Sequence, residues 1–94
     1  MARASWNDTV IAESEATVVV EGNHYFPPDS ICWDHLSGSK LHTTCPWKGE
    51  ASNYHVDADG KRVDDAAWTY PEPKAAAGHI RRHVALWKGV RVDA

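Results

Sequence analysis

Long apolar runs are missing from this sequence. The most extended are Ala16 to Val20, broken by Thr17, and Val84 to Trp87, whereas a bilayer-spanning helix needs about 20 apolar residues. A membrane is therefore not an expected partner. Met1 to Trp6 lacks the apolar core of a secretory signal, so the default compartment is the cytoplasm. Concentrated positive charge is absent as well. Ten Lys and Arg are scattered among 13 Asp and Glu for a net charge of −3, and the only basic cluster is Arg81-Arg82-His83. Proteins that follow a phosphate backbone carry a basic patch or stripe, so nucleic acid is not expected either. Cysteine is scarce: Cys32 and Cys45 stand alone, too sparse for a disulfide framework and in keeping with a reducing compartment.

What the chain has in quantity is tryptophan, at positions 6, 33, 47, 68 and 87. A length of 94 residues allows one hydrophobic core, so residues 1–94 form a single domain. With so few side chains to bury, several indoles are expected in the core.

Turn signals punctuate the chain at short intervals. β-prone stretches are expected at Thr9 to Ala12, at Thr17 to Glu21 before a Gly22-Asn23 turn, and at His24 to Phe26 before Pro27-Pro28. Asp29 to His35 has room for one helical turn, and Leu36 to Lys40 has the composition of a loop. Further strands are expected at Leu41 to Thr44, Glu50 to Val56, Lys61 to Val63 and Ala66 to Tyr70, with a turn at Asp57 to Gly60. Ala-rich Lys74 to Ile80 follows Pro73 and predicts one short helix, ending at Arg81-Arg82. Val84 to Trp87 and Val90 to Val92 then form a final strand or hairpin. Short strands with one helix predict a mainly β domain, built as a small antiparallel barrel or as two packed sheets.

Four ordered blocks, Val18 to Pro27, Thr44 to Gly49, Asp65 to Lys74 and Val84 to Gly89, resemble the bacterial domain of unknown function 427 family, over nearly the whole chain. That resemblance implies a β-rich fold similar to the beta-tent architecture of methionine sulfoxide reductase B and the cereblon ligand-binding domain. Those relatives commonly hold zinc with two Cys-x-x-Cys pairs. This chain has no such pair, so no structural zinc is carried over and folding is expected to need no metal. The family sometimes carries a nucleotidyltransferase-like label. One departure stands out, Asn53, where the resemblance leads one to expect an aromatic residue before Tyr54.

Four constellations invite chemistry. Gly38-Ser39 followed by Asp57-x-Asp59 echoes the carboxylate pair of two-metal nucleotidyl transfer, but Asp59-Gly60 sits where a hairpin must turn. His79 and His83 would share one face of a helix at i and i+4, yet no third metal ligand is near. Neither is taken as a site, and no cofactor is expected. Cys45, between Thr44 and Pro46 with Lys48 close by, is the candidate catalytic nucleophile, although an isolated cysteine among Pro and Trp more often packs as a small hydrophobe. Finally, Thr44 to Gly49 and Trp68 to Lys74 combine rigid prolines, large rings and charges at strand ends, a mixture suited to a concave site.

From these residues the leading expectation is a module that binds a small molecule or peptide, through His24, Tyr25, Cys45, Trp47, Lys48, Tyr54, Trp68, Tyr70, Glu72 and Lys74. An enzyme using thiol or acid–base chemistry at Cys45 is the first alternative. A structural or protein-interaction domain, self-associating weakly into a homodimer through a sheet edge, is the second.

Overall fold

In a computed structural model describing residues 1–94, the protein is an assembly of three antiparallel sheets with no closed barrel. The largest contains β5 (Leu36–Cys45), β6 (Gly49–Ala58), β7 (Lys61–Thr69) and β8 (Val84–Leu86), in that order across the sheet. A second is made of β1 (Ala2–Trp6), β2 (Thr9–Ser14) and β9 (Arg91–Asp93), with β1 central. The third is a hairpin of β3 (Val18–Val20) and β4 (Asn23–Tyr25).

Alternation of side chains places successive strand residues on opposite faces of a sheet, and β8 shows the consequence. Val84 and Leu86 join one apolar cluster together with Phe26, Val56, Ala67 and residues of β1 and β2. Ala85, between them, joins a second cluster with Tyr25, Ala51, Tyr70, Ala77 and Ile80. The four-stranded sheet is thus covered on one face by the β1–β2–β9 sheet and on the other by the β3–β4 hairpin and the 75–80 segment. Phe26 ties the hairpin down: its N–H donates to Val84 O at 2.8 Å and its carbonyl accepts from Val84 N–H at 2.9 Å.

Several expectations change on contact with the structure. The Ala-rich segment forms 3-10 turns over Ala75–Ile80, with a break at Ala77 (φ −114°, ψ 18°), in place of an α-helix. Six residues are too few to repay helix nucleation. Ala77 and Ile80, three apart and both buried, lie on one side of a helix with three residues per turn. Asp29 to His35 holds two 3-10 turns, Pro28–Ser30 and Trp33–His35. Leu36 to Lys40 belongs to strand β5 and is not a loop. The first hairpin turns on Glu21 and Gly22, with φ 53° and 81°, so Asn23 already lies in β4. β8 and β9 do not pair with each other: β8 pairs with β7, and β9 crosses to β1.

β5 leaves one edge of the large sheet open. Its register breaks between Gly38 and His42, where the Leu41 N–H donates to Ser39 Oγ instead. A bulge with Lys40 at its centre blunts that edge against pairing.

Gly49, which starts β6, has φ +112°, a region L-residues rarely adopt. A Cβ there would meet Lys74 N at 3.5 Å and Glu72 O and Pro73 Cα at 3.6 Å, ordinary contacts. The strain is therefore in the backbone. Gly49→Ala is expected to cost about 1–3 kcal/mol, seen as a lower urea midpoint with an unchanged m-value.

Candidate functional site

The register of the large sheet builds a concavity on the hairpin side. Asn53 of β6 lies opposite Trp68 of β7, so the two share a face, and Tyr70 continues that face beyond the strand. Leu41 and Thr43 of β5, Asn23 of β4, Lys48 from the β5–β6 turn, and Trp87 with Lys88 after β8 complete the lining of a cavity of about 510 Å³.

Neighbouring rings and backbone hold the aromatic walls. The Trp68 indole N–H donates to the Tyr25 hydroxyl at 3.1 Å, and the two rings meet edge to face at 6.1 Å. Trp68 and Trp87 also meet edge to face, 5.6 Å apart. The Trp87 indole N–H donates to Asp65 O at 2.9 Å, and its backbone N–H donates to Ala66 O at 2.9 Å. Both indole donors are satisfied within the protein, so these rings offer surface and not hydrogen bonds.

Lys48 is the charged element. Its side chain is only 8% exposed, and its ammonium pairs with the Glu21 carboxylate from the hairpin turn. The Nζ lies 5.4 Å from the centroids of Trp47 and Tyr70 and 6.0 Å from that of Tyr25, within cation–π range. Burial works against the charge, but the hydrogen bond to Glu21 and the nearby Tyr25 and Tyr70 outweigh it, and the net shift of the ammonium is upward. Lys48 is therefore a fixed cation at neutral pH and not a free amine, the form a lysine nucleophile requires. Burial raises the Tyr70 hydroxyl, with Lys48 opposing, so Tyr70 remains a neutral donor.

The same contact lowers the carboxyl of Glu21, mainly through the Lys48 hydrogen bond. A carboxylate with a depressed folded-state value contributes stability above its unfolded value, near 4.5, and loses that contribution as pH falls through the folded value. Glu21→Gln is accordingly expected to melt below the wild type at pH 7, with the gap closing as pH drops below about 4.5. Paired thermal melts from pH 7 to pH 2.5 measure it; a constant gap would mean that the ion pair contributes nothing.

The two aromatic–proline segments do meet. Lys74 N–H donates to Lys48 O at 2.9 Å, and Lys74 Nζ donates to Pro46 O at 2.6 Å. Of the residues singled out from sequence, Lys48, Trp68 and Tyr70 line the cavity. Tyr25 is fully buried behind Trp68, Trp47 stacks over the Lys48 ammonium outside the lining, and half-buried Cys45 packs against the second apolar cluster. His24 bonds Thr17 and faces a separate hollow with Met1 and Ala94. Tyr54 lies on the opposite sheet face. Lys74 is spent on the Pro46 carbonyl, and Glu72 presents its carbonyl towards Gly49.

Sequence reasoning passed over Asn23, Leu41, Thr43, Trp87 and Lys88 as cavity residues. One signal was available: Trp-Lys-Gly occurs twice, at 47–49 and 87–89, and both copies contribute a lysine to the same cavity. Asn53, noted as a departure, is 6% exposed and donates to Leu41 O at 3.3 Å, bracing the β5 bulge beside the cavity. Asp59-Gly60 is a turn, with φ 50° and 77°. No three His, Cys, Asp or Glu side chains converge as a metal set; His83 Nδ1 lies 2.9 Å from Arg81 O.

No helix is long and apolar enough to cross a membrane. No curated protein matches the chain. A family model described as a domain of unknown function (DUF427) matches residues 1–94, the full span over which the four sequence blocks and the three sheets are laid out. This chain belongs to the domain of unknown function 427 family.

Proposed function

We propose that the domain binds a small organic molecule in the cavity between Trp68 and Trp87. One observation carries the reading: three large rings, two lysines and two amides converge on a single open concavity of about 510 Å³. Small-molecule sites occupy roughly 300–1,000 Å³ and combine mostly apolar walls with a few placed polar groups. The rings are held by Tyr25 and by the Asp65 and Ala66 carbonyls before any ligand arrives, so little further ordering is lost on binding. Lys48 and Lys88 favour a ligand with a planar apolar body and a polar or anionic group.

The alternative centred on Cys45 has less support. Cys45 packs against the second apolar cluster, and the Lys48 ammonium is committed to Glu21. A fragment screen read by amide chemical shifts tests the proposal. Hits clustering on Asn53, Trp68 and Trp87 support it, and a screen that leaves those three residues unshifted overturns it.

A further inference from the structure

The same sheet carries a second concavity on its other face. Tyr54 and Thr69 each follow a residue of the first cavity, Asn53 and Trp68, and so face the opposite way. With Pro28, Trp33, Pro71 and Arg82 they line a cleft of about 300 Å³. The rings of Trp33 and Tyr54 meet edge to face at 5.7 Å, and the Trp33 indole N–H is anchored on Pro28 O at 2.9 Å. Two rings and two pyrrolidines make a wall with little freedom to lose.

Two independent features of this cleft are left unexplained by folding, the Thr69 hydroxyl and the Arg82 guanidinium. Thr69 is 5% exposed, and its hydroxyl has no hydrogen-bond partner, a condition that native proteins rarely tolerate and that costs stability. Arg82 holds φ +61°, a left-handed conformation unfavourable for a residue with a Cβ, fixed by its N–H donating to Tyr70 O at 3.0 Å. Its guanidinium takes part in none of the ion pairs of the protein, in a chain whose net charge is −3. An uncommitted arginine beside a buried, unpartnered hydroxyl in an aromatic cleft is an arrangement suited to binding an anion.

We infer that this cleft is a second ligand site, for a single-ring aromatic carboxylate whose ring lies against Trp33 and Tyr54 and whose carboxylate meets Arg82 and Thr69. Guanidinium and carboxylate are matched for paired, charge-assisted hydrogen bonds. The volume accommodates one ring and its acid group. The Thr69 hydroxyl is buried in the cleft wall, and binding requires its χ1 torsion to turn it towards the ligand, a fast motion. This site is separate from the Trp68–Trp87 cavity, which lies across the sheet, and neither depends on the other.

The test is a titration of nitrogen-15-labelled protein with benzoate, read from backbone amides and from the five indole N–H signals, which report each tryptophan separately. Saturable shifts are expected at the Trp33 indole, Tyr54, Thr69 and Arg82, with the Trp68 and Trp87 indoles unmoved. Benzamide, without the charge, and the Arg82→Gln variant are each expected to show binding at least tenfold weaker. Thr69→Val removes an unpartnered hydroxyl, so it is expected to melt at a higher temperature while binding benzoate several-fold more weakly. Shifts that stay linear to high concentration, or that centre on Trp68 and Trp87, overturn the inference. So does undiminished benzoate binding by Arg82→Gln, or a lower melting temperature for Thr69→Val, which would mean that the hydroxyl has a structural partner. Binding of a proline-rich acidic peptide with no response to benzoate would overturn it in favour of a peptide groove.

Discussion

Phe26→Ala is expected to remove about 3–5 kcal/mol of folding stability, the range for truncating a fully buried aromatic side chain. Phe26 is 0% exposed and belongs to the larger apolar cluster. Its backbone bonds reciprocally with Val84, joining the β3–β4 hairpin to β8. The substitution leaves those two backbone bonds available but empties the volume between β8 and the β1–β2 sheet. Domains of this size hold about 5–15 kcal/mol in total, and each kcal/mol moves the midpoint by about 4–8 °C. A fall of at least about 12 °C in melting temperature follows. A fall below about 5 °C would show that the cluster is looser than its burial implies. Phe26→Leu, which refills most of the space, should recover more than half of the loss.

The second large effect falls on binding. Trp68→Ala is expected to weaken any fragment that occupies the hairpin-side cavity by about 30-fold, equivalent to about 2 kcal/mol and in the range of a central aromatic contact. Trp68 is the ring that ties the cavity wall to the core, meeting buried Tyr25 on one side and the Trp87 wall on the other. Removing it deletes a face of the cavity and also frees Trp87 to reorient. Trp68→Phe keeps a ring but loses the indole donor to the Tyr25 hydroxyl, and should retain most of the affinity, because that donor serves the wall and not the ligand. Calorimetry on both variants, each checked for a native amide spectrum, separates the two roles. Equal affinity in wild type and Trp68→Ala would place the ligand elsewhere.

Much of the fold was legible in the sequence because its turns are chemically marked. Asp59-Gly60 turns β6 into β7 with both residues at positive φ, as the dipeptide predicts. The non-local pairings were not legible. β9 pairs with β1, from the opposite end of the chain, and nothing in Val90 to Val92 distinguishes that partner from its sequence neighbour β8. β1 itself escaped notice because its inward positions are the alanines Ala2 and Ala4, which have low β propensity and are selected here for close sheet packing.

The cavity lining was legible only in part. Lys48, Trp68 and Tyr70 belong to segments whose proline and aromatic content marks strand ends, and those residues reach the cavity. The other wall depends on which face of the sheet each strand presents. Tyr54 and Asn53 are adjacent in sequence yet face opposite clefts, a consequence of register that composition does not carry. The Glu21–Lys48 pair, linking residues 27 apart, is likewise a product of hairpin placement.

The most direct measurement is a crystal structure of the protein soaked with the tightest-binding fragment from the screen. The account predicts ligand density between Trp68 and Trp87, its apolar body against those rings and its polar group within hydrogen-bond distance of Lys48, Asn53 or Lys88. Density confined to the hollow beside His24, with the Trp68–Trp87 cavity holding only water, would contradict it.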